Sequence, residues 1–181
     1  MYEVKKTKLD GCIEITAAVF QDDRGITIKP FHIDSFSLLG INKHFSEDLM
    51  VTSKKSVLRG LHFQSNPFSQ AKLIYCVKGS IYDVAIDIRK NSPTYGEYVV
   101  FLIDSKKHNL AFIPEGFAHG YQVLEEDTTV IYKMSSVYSP EHEGGIRWDS
   151  LGIDWPIEKP ILSEKDRLLP KFEDFINGFN D

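Results

Sequence analysis

From residue 57 to residue 136 the chain alternates short apolar runs with turn-forming clusters. The runs are Val57–Phe63, Lys72–Lys78, Ser80–Ile88, Tyr95–Asp104, Leu110–Ile113, His119–Leu124 and Thr128–Ser136, rich in Val, Ile, Tyr and Phe and of strand length. Gly, Pro, Asn and Asp punctuate them, as at Gly79, Pro93, Asn109, Gly116 and Asp127. In Ser80–Ile88 the residues Tyr82, Val84, Ile86 and Ile88 form an apolar face, expected to be the core face, while Asp83 and Asp87 point the other way with Ile81 and Ala85. Closely spaced strands without intervening helices predict an all-β sandwich or barrel.

Helical signal is confined to the flanks. Asp34–Leu39 is a short candidate, Ser163–Leu169 begins like a capped helix before Pro170, and a further turn is expected between Lys171 and Phe179. Short helices around a β core fit a jelly roll. No repeat, linker or composition shift divides the 181 residues, so the expectation is a single domain over 1–181.

Composition then narrows the function classes. Lys plus Arg number 21 against 26 Asp plus Glu, a net charge of -5, which gives no general reason to bind nucleic acid or anionic lipid. A polyanionic ligand must therefore meet a local basic site. No apolar run approaches the roughly 20 residues of a spanning helix, and Met1–Lys8 is followed by no apolar signal region. Membrane partners are not expected, and the cytoplasm is. Cys12 and Cys76 each sit in an apolar run and read as reduced and buried.

The most chemically loaded run is Val57-Leu-Arg-Gly-Leu-His-Phe-Gln64, which puts a cation and an imidazole into an apolar strand. Burying them costs free energy unless they are paired or used. In a regular strand Arg59 and His62 face opposite sides, but Gly60 permits a bulge that re-aims one of them. A lone strand histidine is more often a hydrogen-bonded core residue than a catalyst; here the neighbours change the balance. Lys72 opens an apolar run, where its ammonium can polarise a carbonyl or bind phosphate. His119 lies in the turn Pro114-Glu-Gly-Phe-Ala-His119. Tyr132 shares a strand face with Val130 and Met134, a buried phenol or a proton donor. Asp166 follows Ser163 at a helix start, where it also suits the helix dipole.

Pro-x-Gly-x-x-His is a turn-plus-ligand pattern of metal-binding cupins. Such a site needs three or four converging ligands. Where those proteins supply His-x-His, this chain has only His62, with Gln64 two residues on, so no metal is expected. The absence of a Gly-x-Gly-x-x-Gly or Walker-type loop gives no support for a dinucleotide cofactor or P-loop chemistry.

From about Val19 to Asp166 the chain resembles the nucleotide-sugar 3,5-epimerases typified by dTDP-4-dehydrorhamnose 3,5-epimerase, metal-independent cupins. The resemblance is carried by Phe20-x-Asp-Asp-Arg-Gly25, the 57–64 run, Lys72-Leu, Tyr82-Asp-Val-Ala-Ile-Asp-Ile-Arg89, Ser92-Pro-Thr-Tyr-Gly96, Ile113-Pro-Glu-Gly-Phe-Ala-His-Gly120, Tyr132-Lys133, Gly145-Ile-Arg-Trp148, Ile153-Asp-Trp-Pro156 and Leu162-Ser-x-Lys-Asp166. It implies a cupin double-stranded β-helix and a nucleoside-diphosphate 4-keto sugar as substrate, with no cofactor. The ketone at C4 acidifies C3 and C5, so epimerisation needs a base, an oxyanion donor and an acid on the opposite face. By this resemblance His62 is the base oriented by Asp166, Lys72 stabilises the C4 oxyanion, and Tyr132 returns the proton. Arg24 and Arg59 bind the diphosphate, His119 lines the pocket, and Gln64, Phe20 and Glu47 contribute to substrate binding. It also implies a homodimer whose amino-terminal strands cross between subunits.

Two segments depart from the family pattern. Where thymidine-binding members carry Phe-x-Gln-x-Asn, this chain has Phe45, Glu47 and Leu49; where Phe-x-x-Glu follows the arginine and glycine, it has Ile26 to Lys29. These bear on the nucleotide, so GDP-linked 4-keto heptoses stand beside dTDP-4-keto-6-deoxyglucose as expected substrates. The competing readings are a sugar-nucleotide 3,4-ketoisomerase, a non-catalytic cupin that only binds a sugar nucleotide, and a metal-dependent cupin oxygenase. Tyr132 and Asp166 favour the epimerase over the isomerase, and a binder has no need of a base, an oxyanion donor and an opposed acid together.

Overall fold

A computed structural model describes residues 2–175. In chain order its strands are β1 (Glu3–Lys6), β2 (Ile13–Thr16), β3 (Ala18–Asp22), β4 (Gly25–Lys29), β5 (Glu47–Ser53), β6 (Leu58–Gln64), β7 (Lys72–Lys78), β8 (Ser80–Asp87), β9 (Tyr98–Asp104), β10 (Asn109–Ile113), β11 (Phe117–Val123), β12 (Thr128–Met134) and β13 (Glu143–Gly145). Helix α1 (Ile33–Leu38) precedes β5, and α2 (Glu164–Arg167) and a 3-10 turn, Phe172–Asp174, follow β13. The remainder of the turn expected up to Phe179 lies outside the described residues.

Two antiparallel sheets face each other in the order β1-β2-β10-β7-β12-β5 and β13-β6-β11-β8-β9, and β3 and β4 form a separate ribbon. From β6 onward consecutive strands cross between the sheets, except β8 and β9, which pair with each other, the expected jelly roll. The seven expected strands appear with ends shifted by at most three residues; β1 to β5 and β13 had no clear apolar period.

The inter-sheet core contains Leu9, Cys12, Ile74, Cys76, Ile81, Ala85, Phe101, Tyr121 and Val130. Both cysteines are free thiols. A second cluster packs Leu61, Val84, Ile86, Ile88 and Ala118 under Ile146 and Ile153 from the carboxy-terminal segment. The expected orientation of β8 is thereby corrected. Ile81 and Ala85, on the side of Asp83, face the other sheet, whereas Val84 and Ile86 face outward and are covered by the tail. Hydropathy marks the greasier face, but both faces of β8 are buried, and here the inner one carries the charges. A third cluster places Phe36 of α1 over Leu73, Leu110 and Phe112 on the outer face of the larger sheet.

Asp87 closes the turn after β8. Its fully buried carboxylate accepts from Arg89 Nε at 2.9 Å, Ser92 Oγ at 2.5 Å and Thr94 Oγ1 at 2.6 Å. That explains the Asp-Ile-Arg and Ser-Pro-Thr pieces of the motif as turn chemistry.

Candidate active site

Between the open ends of the two sheets lies a cavity of about 330 Å³, lined on one side by Arg59, His62 and His119 and on the other by Lys72, Tyr132, Leu49 and Val51. The local cause is a bulge. His119 stands opposite His62 while Tyr121 stands opposite Arg59, so β6 carries one residue more than β11 over this stretch. Cross-strand partners share a face, and His119 and Tyr121 are two apart on β11. Arg59 and His62 therefore point into the same cavity, as the glycine between them was expected to allow. Gly60 has φ of +115°, and a Cβ there would meet Gly120 Cα at 2.5 Å. A Cβ at Gly120 would in turn meet the Arg59 carbonyl at 2.5 Å. Both positions require glycine because the two backbones touch.

His62 Nε2 lies 2.6 Å from Asp166 Oδ1. Asp166 is brought 104 residues along the chain by α2, whose N-cap Ser163 accepts from the Asp166 N–H at 3.1 Å. The cap thus fixes the side chain that faces the histidine. Burial raises the Asp166 carboxyl, but the hydrogen bond and charge of His62 together with hydrogen bonds from Ser163 and the Gly60 backbone outweigh this and leave it below the ordinary range. An ionised carboxylate accepts only, so Nε2 of the neutral ring carries the proton and Nδ1 is left as a base.

Lys72 is buried, and its Nζ donates to the His62 carbonyl at 3.3 Å. Removal from water pulls its ammonium down to about 8, with Asp83 and Glu143 opposing that fall. Tyr132, paired with Leu49 across the sheet, stands edge-on to His119 with ring centres 5.9 Å apart. Burial, then the adjacent Tyr121, push its phenol well above the usual range, so it carries its proton at neutral pH. A base, a cation and an acid thus converge on one cavity from different strands. Among the described residues no group of three or more His, Cys, Asp or Glu is arranged to hold a metal ion.

The chain matches the family model for dTDP-4-dehydrorhamnose 3,5-epimerase over residues 6–174. It belongs to that family. An enzyme so named from Methanothermobacter thermautotrophicus is 44% identical over 167 residues, covering 90% of each chain. One from Shigella flexneri is 41% identical over 174 residues, 94% of this chain and 96% of the other. Among solved structures, dTDP-6-deoxy-D-glucose-3,5-epimerase from Legionella pneumophila, in complex with dTDP-4-keto-L-rhamnose, superposes with a TM-score of 0.93 at 36% identity, covering 97% of this chain and 95% of that one. The Bacillus anthracis enzyme, with TDP and pyrophosphate bound, gives 0.92 at 37% identity, covering 94% and 99%. The protein is an epimerase acting on nucleotide sugars.

The remaining expected residues of the epimerase fall into two groups. Gln64 borders the cavity, but its amide is engaged by the protein: Nε2 donates to the Phe68 and Val137 carbonyls at 2.7 and 3.1 Å, and Oε1 accepts from the Ser139 N–H at 2.7 Å. It pins two loops at the cavity wall. Glu47 accepts from the Tyr138 N–H at 2.7 Å and is not among the residues lining the cavity. Arg24 and Phe20 lie on the β3–β4 ribbon, away from the cavity of their own chain. Arg24 pairs there with Asp22.

Sequence reasoning did not single out Tyr138, Glu143 or Lys165, which line the same cavity. Glu143 accepts from Tyr138 Oη at 2.6 Å and from Lys165 Nζ, so the three bridge the loop after β12, β13 and α2. Lys165 had a signal, since it stands next to Asp166 within the quoted motif. Glu143 and Tyr138 had none, being polar residues in a stretch without period.

Proposed function

We propose that this epimerase inverts C3, C5 or both of dTDP-4-keto-6-deoxyglucose by enolisation and reprotonation, as a step of sugar biosynthesis for surface polysaccharides. The observation that carries the reading is the opposition of His62, backed by Asp166, to the protonated Tyr132 across one cavity that Lys72 also enters. His62 Nδ1 takes the proton from the carbon beside the ketone. The electron pair of the broken C–H bond moves onto the C4 oxygen, where Lys72 stabilises it; one such donor contributes roughly 3 kcal/mol of barrier. Tyr132 then delivers a proton to the opposite face of the same carbon, and solvent restores both groups. Arg59, whose guanidinium bonds Ser53 Oγ at 3.2 Å, holds the diphosphate.

The dTDP preference is supported by relatives at about 40% identity named for that substrate. Leu49, apolar and in the cavity lining, together with Glu47 turned to the Tyr138 backbone, favours a GDP-linked 4-keto heptose as the second reading. The working form is a cytoplasmic homodimer. Every residue of β4 is exposed, as are four of five in β3, including the apolar Val19, Phe20, Ile26 and Ile28. A two-stranded ribbon with no core of its own is marginal in water. Packed on a second copy it brings Arg24 and Phe20 to the partner's cavity.

The test is proton exchange. Incubated in deuterated water with each nucleotide sugar in turn, the enzyme is expected to place deuterium at C3, C5 or both of the dTDP sugar, followed by NMR. His62→Asn is expected to slow exchange by at least about a hundredfold. Exchange with the GDP sugar alone moves the substrate to the second reading, and exchange with neither rejects the reaction.

A further inference from the structure

Gln64 and Gln70 both border the catalytic cavity, but their amides are used differently. Gln64 is bonded at both ends. Gln70, just before β7, is 9% exposed, and its Nε2 donates to the Ser136 carbonyl at 2.8 Å. A carbonyl only accepts, so this bond fixes which end of the amide is which. The adjoining backbone is held as well: the Ala71 N–H donates to Ser135 Oγ at 2.8 Å, and the Ala71 carbonyl accepts from the Ser135 N–H at 3.0 Å. Oε1 of Gln70 is left without a partner among the described residues. It is not sealed in, since the buried side-chain atoms that lack a partner are Asp83 Oδ2, His108 Nδ1 and Tyr121 Oη. A side chain nine-tenths buried in the cavity wall thus opens its one free acceptor into the cavity.

We propose that Gln70 is a specificity-determining residue that accepts a hydrogen bond from the sugar hydroxyl next to the ketone, and so selects substrates with a free hydroxyl at C3. The inference rests on the reaction proposed above and on its assignment of the C4 oxygen to Lys72. Lys72 stands two residues from Gln70 and lines the same cavity, and among the described residues its Nζ donates only to the His62 carbonyl, at 3.3 Å. An ammonium has three N–H donors, so donors remain for the substrate. A fixed acceptor beside a fixed donor matches an α-hydroxy ketone: the donor meets the carbonyl oxygen and the acceptor meets the hydroxyl. Of the carbons flanking C4, only C3 carries a hydroxyl, whereas C5 carries the ring oxygen and the methyl group. The match therefore also sets which way round the ring lies.

The pairing matters most at the C3 step. When His62 takes the C3 proton, the electron pair of that C–H bond forms the C3–C4 double bond and the carbonyl pair moves onto the C4 oxygen. Both oxygens then lie side by side in one plane. The C3 hydroxyl keeps its proton; directed to Gln70 Oε1, it does not fold onto the C4 oxygen, whose lone pairs stay open to Lys72. The carboxylates and the second imidazole of the cavity stand elsewhere: His119 on β11 and Glu143 on β13 belong to the opposite sheet, and Asp166 is engaged by His62. Opening C5 creates no such pair of oxygens, and there the same contact only helps to bind the sugar.

The experiment follows the two carbons separately, by NMR in deuterated water with saturating dTDP-4-keto-6-deoxyglucose. Gln70→Met, which keeps the length of the side chain, is expected to slow deuterium entry at C3 about five- to tenfold while entry at C5 stays within about twofold of wild type. A folded variant that slows both carbons alike, or neither, overturns the proposal, as does a wild-type enzyme that opens C5 alone. Because the variant also takes the donor from Ser136, a second measurement uses wild-type enzyme only. The analogue lacking the C3 hydroxyl is expected to show a KM about five- to tenfold higher for exchange at C5, and an equal KM overturns the proposal. No exchange at either carbon of any nucleotide sugar tested rejects the reaction itself, which separates that failure from a failure of Gln70.

Discussion

Lys72 sets the clearest expectation at the scale of single residues. In the proposed mechanism its charged form does the work, and desolvation has lowered its affinity for a proton to a midpoint of about 8. The charge is present below that pH and lost as pH rises through it, so activity is expected to fall on the alkaline side near pH 8 rather than near the ordinary lysine value. Tyr132 sharpens the contrast. Its phenol is held above the usual range, so the acid stays protonated while Lys72 titrates. Rate measurements across pH check this, and Lys72→Ala is expected to lose a hundred- to a thousandfold in kcat, roughly the worth of one oxyanion donor, and to lose that limb. Most of these residues were legible in the chain, because a cation, an imidazole and a phenol in apolar runs are conspicuous. Asp83 was visible too, but only as the polar side of a strand.

Single elements explain why those residues meet. The contact between β6 and β11 depends on two glycines whose backbones touch, and the extra residue on β6 is what puts Arg59 beside His62. Gly120→Ala would drive a methyl group to 2.5 Å from the Arg59 carbonyl and 2.9 Å from Leu61 Cδ2. The expected cost is about 3 kcal/mol of stability. Thermal unfolding measures it, and the folded fraction is expected to have lost catalysis with it because Arg59 and His62 are displaced together. A variant with wild-type melting and activity would show that the two strands can part at no cost. The bulge itself could be expected from Gly60, but its register could not, since that depends on which residue of a strand 57 positions away stands opposite. Strand β5 escaped notice because Glu47–Ser53 has one solvent-exposed side and an irregular burial pattern.

In the whole molecule, the β3–β4 ribbon is the feature a single chain leaves unexplained. Arg24 at its tip is almost wholly exposed and, among the described residues, its side chain is bound only to Asp22. In the proposed dimer it holds the diphosphate in the partner's cavity, where a charge-assisted contact stabilises binding by about 1.5–3 kcal/mol. Arg24→Ala is therefore expected to raise KM at least about tenfold with kcat little changed. Sedimentation is expected to show the same dimer. An unchanged KM, or a monomeric wild-type enzyme, removes Arg24 from the site. No helix among the described residues is long and apolar enough to cross a membrane.

By itself the sequence determined the all-β class, the run of strands from β6 to β12, and a short set of residues too costly to bury without a use. It also carried the family motifs from Phe20 to Asp166. These are local quantities: hydropathy period, turn chemistry and the desolvation of single groups. Tertiary structure alone decided that the inner face of β8 is its charged face, that Asp166 reaches His62 from 104 residues away, and that Gln64 and Glu47 are tied to backbone near the cavity. It also joined Asp83 to His119 and seated Tyr138, Glu143 and Lys165 at the same cavity. Each of these is a distance between strands in different places of the chain, and such distances are set by register and packing, which no local pattern encodes.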